Sequence, residues 1–528
     1  MSPRIERALI SVSDKSGLAP FAAELHRLGI EIYSTGGTSR CLREADIPVR
    51  DVSDYTNFPE MMDGRLKTLH PKIFGGILCR HDNPNDMTAI AEHGIESFGL
   101  IVVNLYPFQA TVAKPDVTWP EAIEKIDIGG PSLVRAAGKN HAFVTISTSP
   151  DQYDSILDEL KDGQSTSPEL RQRLAKEAFQ HTAQYDAAIA QFFVKSSDQT
   201  SSQEATEFPT SMTLSLERKA ILRYGENPHQ SAAVYRQDGA STGSNLLSAK
   251  QLNGKELSYN NLMDADAALF IARSLPGNGV SVIKHSNPCG AASGATISEA
   301  TKKAMDGDPV SAFGSILGFN QPVDAESAEV LATPGLFVEA IVAPSFSPEA
   351  VEILTTKPKW KANVRLLEVG SLDVPAQGTH YRCIDGGMLV QQSDIQPDIY
   401  SDWKVVTETQ PTDQQLDELR FAWAVVRHVK SNAIVLCREQ SLVGAGAGQM
   451  SRVDSVQISI RKAADRAQGS VLASDAFFPF PDSIHEAAKA GIVAVIEPGG
   501  SRKDDEVIAA CNEHGLPMIF TGRRHFKH

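Results

Sequence analysis

The sequence predicts an α/β protein built from more than one domain. Before residue 200, short apolar runs alternate with amphipathic stretches, which is typical of a mainly parallel sheet whose helices connect the strands. A polar, Ser/Thr-rich segment, Ser196–Ser211, follows and predicts a domain boundary near residue 205. Beyond it, three sequence blocks recur in the same order, which predicts two copies of one α/β unit meeting near residue 390.

Composition and charge exclude several classes of protein. The chain has 528 residues, 41% of them hydrophobic, which indicates a globular protein with several cores. A formal net charge of −15 disfavours nonspecific binding to nucleic acid or to acidic membranes. The six cysteines are scattered without a CxxC pair, which favours a reducing cytosol. We expect neither a signal peptide nor a membrane helix, because no apolar run approaches about 20 residues.

The elements of the first domain follow from this alternation. The predicted strands are RALISVS, IEIYS, SFGLIVVNLYPF and HAFVTIS, and the predicted helices are GLAPFAAELHRLG and a closing helix from Gln172 to Phe193. The loops between these elements are where a ligand is expected to bind.

Two of these loops are candidates for binding an anion. SVSDKSG follows the first strand, and STGGTSR follows the next. Glycine lets the backbone approach an anion, Ser and Thr donate hydrogen bonds, and the start of a helix favours negative charge. A tight turn with an N-cap Ser or Thr explains the same residues equally well.

Three further stretches bring charged groups to predicted loops of this domain. GRLKTLHPKIFGG gathers Arg65, Lys67, His70 and Lys72, although a solvated basic loop is the usual explanation for such a run. NLYPF closes a strand with Asn and Tyr, and IDIGGPSLVRAAGKNH places an Asp before a Gly pair and ends near Lys139. Together they supply cations, a carboxylate and a phenol.

The second half carries the repeat and several polar turns. The paired blocks are IKHSNPCG with HVKSNAIV, DPVSAFGS with ASDAFFPF, and VEAIVAPSFSPEAVEIL with IVAVIEPGGSRKDDEVIAA. LRYGENPHQ pairs an Arg that can fork onto a phosphate with a Tyr that can cover a flat ring. VGAGAGQMSR is interpreted as a Gly-rich turn ending in Arg, and SDAFFPFPD offers aromatic rings and carboxylates. A packed core and a solvated basic tail are the plainer explanations of the Phe cluster and of GRRHFKH.

A deaminase-type zinc site is not expected here. Such a site needs H-x-E and P-C-x-x-C. The stretch NPCGAA has Pro288 and Cys289, but Ala292 stands where the second cysteine belongs.

These motifs together closely resemble one family, the bifunctional purine biosynthesis enzymes that join AICAR transformylase to IMP cyclohydrolase. The resemblance runs from SVSDKSGL to RRHFKH through GRLKTLHP, NLYPF, IDIGG, LRYGENPHQ, KHSNPCG, GAGAGQ and SDAFFPF. It implies a methylglyoxal-synthase-like cyclohydrolase domain at residues 1–200. It also implies two cytidine-deaminase-like transformylase units, at 206–390 and 391–528. Pro481 departs from the family, in which Arg is common at this position.

The resemblance also implies the reaction and its catalytic residues. Formyl passes from 10-formyltetrahydrofolate to the amine of AICAR, and the formyl-AICAR then cyclises to IMP with loss of water. An imidazole, with an ordinary pKa of about 6.5, suits removal of the amine proton, which is the role implied for His285. Lys284 would stabilise the oxyanion or protonate the leaving nitrogen, and Asn432 would orient the base or the substrate. The residues implied for ring closure are Lys67, Tyr106, Asp127 and Lys139.

The remaining implied residues bind substrates. In the first domain they are Ser13, Asp14, Lys15, Thr35, Gly36, Gly37, Thr38, Arg65, Thr68 and Asn104. In the second half they are Arg223, Tyr224, Asn260, Phe313, Gly314, Glu339, Arg452, Phe477, Asp482, Ser501, Arg524 and Phe526.

The family also implies a homodimer whose transformylase sites lie between subunits, and the scattered cysteines predict a cytoplasmic location. Its only co-substrate would be the folate, with no metal or prosthetic group and no nucleic-acid or membrane partner. Three alternatives stay open: a first domain that is a regulatory nucleotide-binding module, a deaminase-like hydrolase, and a non-catalytic scaffold. Lys67, Asp127 and Lys139 together argue against the first, the missing zinc ligands against the second, and the many polar turns against the third.

Overall fold

The computed structural model describes residues 3–114, 116–197, 208–237, 244–372 and 378–528. The chain divides into two compact units, Met1–Ser215 and Leu216–His528. The predicted boundary near residue 205, and most of the segment that predicted it, lie outside the described residues. In the described part of the chain, no helix is both long and apolar enough to cross a membrane.

The first unit contains a five-stranded sheet in which every neighbouring pair is parallel. Its strands, in the spatial order β3-β2-β1-β4-β5, are β1 (Arg7–Val12), β2 (Glu31–Ser34), β3 (Arg50–Asp51), β4 (Leu100–Asn104) and β5 (Thr145–Ser147). The predicted parallel α/β sheet is therefore confirmed. Sequence reasoning missed β3, whose two residues are too few to show an apolar pattern.

Ten helices connect and cover the described strands of this unit. They are α1 (Leu18–Arg27), α2 (Gly36–Glu44), α3 (Val52–Thr56), α4 (Pro71–Leu78), α5 (Pro84–Glu92), α6 (Phe108–Val112), α7 (Trp119–Glu124), α8 (Gly129–Lys139), α9 (Tyr153–Lys161) and α10 (Pro168–Ser197). Helix α1 buries Leu18, Phe21 and Leu25, a spacing that places all three on one helical face. One continuous apolar core results, and its packing holds the strand ends in place.

The second unit is organised around a twelve-stranded mixed sheet. Its strands are β8 (Lys250–Asn253), β9 (Asn278–Lys284), β10 (Asn287–Gly294), β11 (Ser315–Phe319), β12 (Val338–Ala343), β13 (Arg365–Glu368), β16 (Lys404–Val405), β17 (Ile434–Arg438), β18 (Ser441–Gly446), β19 (Val471–Ser474), β20 (Ala494–Glu497) and β21 (Met518–Phe520). Two separate hairpins pair β6 (Leu216–Leu222) with β7 (Ala232–Gln237), and β14 (Thr379–Ile384) with β15 (Gly387–Gln392).

The helices of this unit lie on both faces of the large sheet. They are α11 (Tyr259–Ser274), α12 (Ile297–Met305), α13 (Pro309–Ala312), α14 (Ala325–Leu331), α15 (Pro348–Thr356), α16 (Asp413–Val426), α17 (Arg452–Ala463), α18 (Asp482–Lys489) and α19 (Asp504–Glu513). Residues of α11 and α16 share one core that spans both halves of the sheet. The other helices help to form a separate core for each half.

The order of the strands shows an internal duplication. The sheet reads β16-β21-β20-β19-β17-β18-β10-β9-β11-β12-β13-β8. Reading outward from the centre, each half therefore repeats the other: β10-β9-β11-β12-β13-β8 matches β18-β17-β19-β20-β21-β16. The halves are joined where Ala292 of β10 pairs antiparallel with Ser441 of β18.

Only the third sequence block identified the matching elements correctly. It aligns β12 and α15 with β20 and α19, which occupy equivalent places in the two halves. The first block is wrong in register, because it matches the β9–β10 turn to the loop before β17, whereas the equivalent turn joins β17 to β18. The second block is also out of register, since it matches the start of β11 to the loop after β19.

Candidate active sites

A cavity of about 720 Å³ opens at the carboxyl ends of β1, β2 and β4 in the first unit. The strand order reverses direction between β1 and β4, and open α/β sheets bind ligands at such a switch point. Most of the residues predicted to bind substrate in this unit line the cavity: Ser13, Lys15, Thr35, Gly37, Thr38, Arg65, Thr68 and Asn104. The predicted catalytic residues Lys67, Tyr106 and Asp127 line it as well.

The start of helix α2 is built to receive an anion. Thr35 is its N-cap residue, yet the side chain makes no capping hydrogen bond. Its hydroxyl is buried and has no hydrogen-bond partner among the described residues. The first backbone N–H groups of the helix add partial positive charge beside it. A turn stabilised only by an N-cap would use that hydroxyl, so these contacts favour the phosphate cradle.

Thr38 and Asn104 hold the loops of the cavity in place. The Thr38 hydroxyl accepts a hydrogen bond from Val12 N at 3.1 Å and donates to Val12 O at 3.0 Å. The Asn104 side-chain oxygen accepts from the backbone N–H groups of Ser13 at 2.6 Å and Asp14 at 2.9 Å. Thr38 therefore joins the start of α2 to the end of β1, and Asn104 joins the end of β4 to the loop after β1.

Asp14 faces its own turn and does not line the cavity. Its carboxylate accepts from the backbone N–H and the hydroxyl of Ser16, at 2.9 Å and 2.7 Å, and these hydrogen bonds hold its pKa below the ordinary value. The contacts give Asp14 a structural task that its predicted role in substrate binding did not include.

Lys67, Tyr106 and Asp127 form the polar group best suited to proton transfer. The Lys67 ammonium lies 3.5 Å from the Tyr106 hydroxyl. Burial raises the pKa of Asp127, and the hydrogen bond from Gly130 N and the charge of Lys67 oppose that shift. An amine, a phenol and a carboxyl group with a raised pKa can together hold and pass protons inside one cavity.

Glycine is required where Asp127 folds back on helix α8. The backbone N–H of Gly130 donates to Asp127 Oδ1 at 2.8 Å. A Cβ atom at Gly130 would lie 2.3 Å from Asp127 Oδ2 and 2.8 Å from Leu105. The Gly pair of IDIGG is thus the first turn of a helix and lets the carboxylate approach its backbone.

The structure does not bring Lys139 to this cavity. Lys139 is the last residue of α8, whose 11 residues begin at the cavity with Gly129. At 1.5 Å per residue, the helix separates the two ends by about 15 Å. Lys139 therefore lies away from the cavity lining of its own chain, because IDIGGPSLVRAAGKNH is mostly helix, where a loop was expected, and its role in ring closure stays a prediction.

Two basic residues of GRLKTLHPKIFGG also have structural tasks. His70 caps helix α4 by accepting from Lys72 N at 3.1 Å. The Lys72 ammonium donates to Tyr55 O at 3.3 Å and lies over the Tyr55 ring. Of the four basic residues in this stretch, Arg65 and Lys67 line the cavity, whereas His70 and Lys72 do not.

In the second unit, a tight turn presents His285 at the ends of β9 and β10, two central strands of the large sheet. His285 and Ser286 join β9 to β10 with φ angles of 55° and 60°, as in the two-residue turns that suit twisted hairpins. Asp264 of α11 accepts from both backbone N–H groups, at 3.2 Å and 2.7 Å. The imidazole remains exposed, while Lys284 donates to Phe313 O at 2.8 Å.

The loop before β17 lies at the same ends of the central strands as the His285 turn. The backbone N–H of Lys430 donates to the side-chain oxygen of Asn287 at 3.1 Å. Asn432 donates to Gln449 O at 3.0 Å and accepts from Arg452 at 2.7 Å. The structure thus brings Lys284, His285, Asn432 and Arg452 to one region of a single chain.

The C-terminal tail passes beside this region. The backbone N–H of Ser431 donates to Lys527 O at 2.9 Å, and His525 N donates to Asp475 O at 3.1 Å. Arg524 stacks on Phe526, with its guanidinium carbon 4.2 Å from the ring centre. Arg524 and Phe526, both predicted to bind substrate, therefore lie on a segment that is hydrogen-bonded to the Asn432 loop.

The other predicted residues of this unit are distributed more widely. Glu339 forms an ion pair at 2.6 Å with Arg365, whose side chain is almost completely buried. The carboxylate of Glu339 therefore pairs with a buried cation of the fold. Arg223 donates to the Tyr224 hydroxyl at 3.0 Å. The remaining predicted residues lie on other elements. Asn260 is in α11, and Phe313 and Gly314 follow α13. Phe477 and Asp482 lie near the start of α18, and Ser501 lies just before α19.

The glycines of VGAGAGQMSR have a packing role. Residues 443–446 of this stretch belong to strand β18, residues 447–451 form the loop that follows, and Arg452 begins helix α17. A Cβ atom at Gly444 would lie 2.2 Å from Ser459 O, and one at Gly446 would lie 2.1 Å from Ser455 O. Glycine is needed here because α17 packs directly on the strand.

Comparisons with known proteins agree with both regions. The family model described as AICARFT/IMPCHase bienzyme matches residues 137–462, and an MGS-like domain model matches residues 17–132. The bifunctional purine biosynthesis protein PurH of Rhodopirellula baltica is 61% identical over 524 residues, which cover 99% of each chain. The chain belongs to the AICARFT/IMPCHase bienzyme family. The PurH proteins of Persephonella marina and Listeria monocytogenes, at 48% and 50% identity, also match 99% of this chain.

The predicted family is thus confirmed, and with it the two activities of the bienzyme, AICAR formyl transfer and IMP cyclohydrolysis in purine biosynthesis. The first unit of the bienzyme contains the MGS-like domain that the motifs predicted.

Sequence reasoning missed three residues around the candidate sites of the bienzyme. Asp264 holds the His285 turn, Tyr185 accepts from Asp127 N at 2.8 Å, and Glu124 is ion-paired with Arg65. Each belongs to a helix whose sequence gives no functional signal, since an acidic or aromatic residue on a helix is usually part of its solvated or packed face.

Proposed function

We propose that the bienzyme closes the purine ring in the cavity of its first unit. The observation that carries this proposal is that Lys67, Tyr106 and Asp127 line the same cavity as the unpartnered Thr35 hydroxyl. The nucleotide phosphate binds at the start of α2. The carboxamide nitrogen of formyl-AICAR attacks the formyl carbon, and water leaves after proton transfer through these three side chains.

We assign formyl transfer to the strand ends that carry His285, in the middle of the large sheet. The amine of AICAR attacks the formyl carbon of 10-formyltetrahydrofolate, and His285 accepts the amine proton. Lys284 stabilises the oxyanion or protonates the folate nitrogen as that bond breaks. Support comes from the turn geometry, because two hydrogen bonds to Asp264 fix the backbone while the imidazole stays exposed. The folate serves as co-substrate, and neither reaction requires a metal or a prosthetic group.

The domain division that we propose follows this assignment. Residues 1–200 form the cyclohydrolase domain, and 206–390 and 391–528 form two transformylase units of the cytidine-deaminase-like type. The duplicated strand order of the large sheet supports two equivalent units. A cytosolic location is supported by the six cysteines, all of which are free, and a formal charge of −15 argues against a nucleic-acid partner.

The bienzyme is further proposed to be a homodimer. The hairpins β6–β7 and β14–β15 belong to no larger sheet in the described chain, and an isolated two-stranded hairpin is marginally stable in water. They expose large apolar side chains, with Ile221 71% and Leu389 56% accessible. A second copy of the chain would cover these side chains.

The test of this assembly is to replace Ile221 and Leu389 by glutamate in one chain. Sedimentation should show monomers, and formyl transfer should fall with assembly while ring closure of supplied formyl-AICAR continues. Met87→Glu, which places one glutamate at an exposed apolar position of helix α5, serves as the control. A monomer with full formyl transfer would refute the idea that its sites depend on the dimer.

Thr35→Val tests the phosphate cradle. The substitution keeps the shape of the side chain and removes the hydroxyl that we assign to the phosphate. Because hydrogen bonds to charged groups contribute about 1.5–3 kcal/mol, the KM of ring closure should rise roughly 10- to 100-fold with little change in kcat. Thr111→Val provides the matched control, since Thr111 bonds Pro107 O on helix α6. An unchanged KM in Thr35→Val would remove the cradle from the proposal.

A further inference from the structure

His485, Glu513 and His514 bring three metal-binding groups together in the second unit. His485 lies in α18, Glu513 is the last residue of α19, and His514 caps that helix. One ligand atom from each lies within 4.8 Å of the others. Neither reaction described above uses them, and both Glu513 and His514 are exposed.

The two imidazoles already face each other at close range. His485 Nδ1 and His514 Nε2 are 2.9 Å apart, and the ring planes are inclined by 81°. A hydrogen bond between the two rings explains that distance. Two nitrogens bound to one tetrahedral zinc ion, each at about 2.0–2.1 Å, lie roughly 3.3 Å apart. The ion could therefore replace the hydrogen bond after a shift of a few tenths of an ångström.

The surroundings also favour a cation. Glu513 is exposed, and one of its carboxylate oxygens lies within 4.8 Å of a ligand nitrogen of each ring. Glu513 and His514 stand at the C-terminal end of α19, where unpaired carbonyl groups carry partial negative charge. Two imidazoles and one carboxylate are a ligand set that zinc and its neighbours in the first transition row prefer to magnesium or calcium.

We propose that His485, Glu513 and His514 form a Zn²⁺ site that connects the C-terminal end of α19 to the middle of α18, with water as the fourth ligand. The site is separate from both reactions, which proceed without metal. Its effect is mechanical. Helices α18 and α19 follow the loops that carry Phe477 and Ser501, so a bound ion restrains the two helices behind these loops.

Calorimetric titration of the full chain with zinc chloride tests the binding. One Zn²⁺ per chain is expected, and His485→Gln and His514→Gln should each weaken binding about tenfold or more. His93→Gln is the matched control, because His93 is also exposed and also caps a helix, α5. Equal affinity in the His485→Gln/His514→Gln double variant, or no binding by the unaltered chain, overturns the site.

Hydrogen exchange separates the mechanical effect from binding alone. Zn²⁺ should slow amide exchange in α18 and α19 of the unaltered chain and leave the double variant unchanged. Binding without slower exchange would overturn the restraint. Chelator-treated enzyme should keep both activities, and loss of either activity would overturn the separation of this site from catalysis.

Discussion

Replacing His285 by alanine is expected to reduce formyl transfer by about 10²- to 10⁴-fold, the usual contribution of a general base. The amine of AICAR is a weak nucleophile because its lone pair is delocalised into the imidazole ring. Without a base, its proton would remain during attack on the formyl carbon. Since the imidazole is exposed and the turn is held through backbone N–H groups, the substitution should leave the fold intact.

Two assays on one preparation measure this effect. Tetrahydrofolate release from AICAR and 10-formyltetrahydrofolate reports transfer, and IMP formation from supplied formyl-AICAR reports ring closure. The second activity is the internal control and should be unchanged. A folded His285→Ala chain that loses both activities would contradict two separate sites, and one that keeps transfer would remove His285 from the mechanism.

Asp127→Asn should produce the reciprocal result, with ring closure reduced by about 10²- to 10⁴-fold and formyl transfer retained. Asparagine keeps an oxygen that can accept from Gly130 N, so the start of α8 is preserved. It removes the titratable carboxyl group beside Lys67, whose charge acts on the pKa of Asp127. The measurement is IMP formation from formyl-AICAR across a range of pH.

Asp86→Asn is the matched control for this variant. Asp86 is an acidic residue of the same unit, and its carboxylate bonds Arg80 outside the cavity lining. We expect this control to retain most of its ring-closing activity. If both variants behave alike, the loss in Asp127→Asn reflects general electrostatics, and the assignment of a proton-transfer role to Asp127 fails.

Local sequence patterns predicted the parts of the fold that depend on local periodicity. The strands around Leu9 and Ile101 and the helix around Phe21 appear where apolar spacing indicated them. The same reasoning failed at IDIGGPSLVRAAGKNH and at residues 443–446 of VGAGAGQMSR, where glycine was interpreted as a sign of a turn. At Gly130 and Gly444 the cause is a close approach of another group, which single-chain spacing does not reveal.

The sequence by itself determined the α/β class, the family and the motifs that carry Lys67, Asp127 and His285, because those properties reside in short, contiguous patterns. Only the tertiary structure decided which of these residues meet. Packing of α8 set Lys139 at the far end of the helix from the cavity. Antiparallel pairing of β10 with β18 joined the two halves of the large sheet. At the ends of these central strands, the Asn432 loop contacts Asn287 beside the His285 turn. Such contacts depend on helix length and strand order over more than a hundred residues, so no local pattern encodes them.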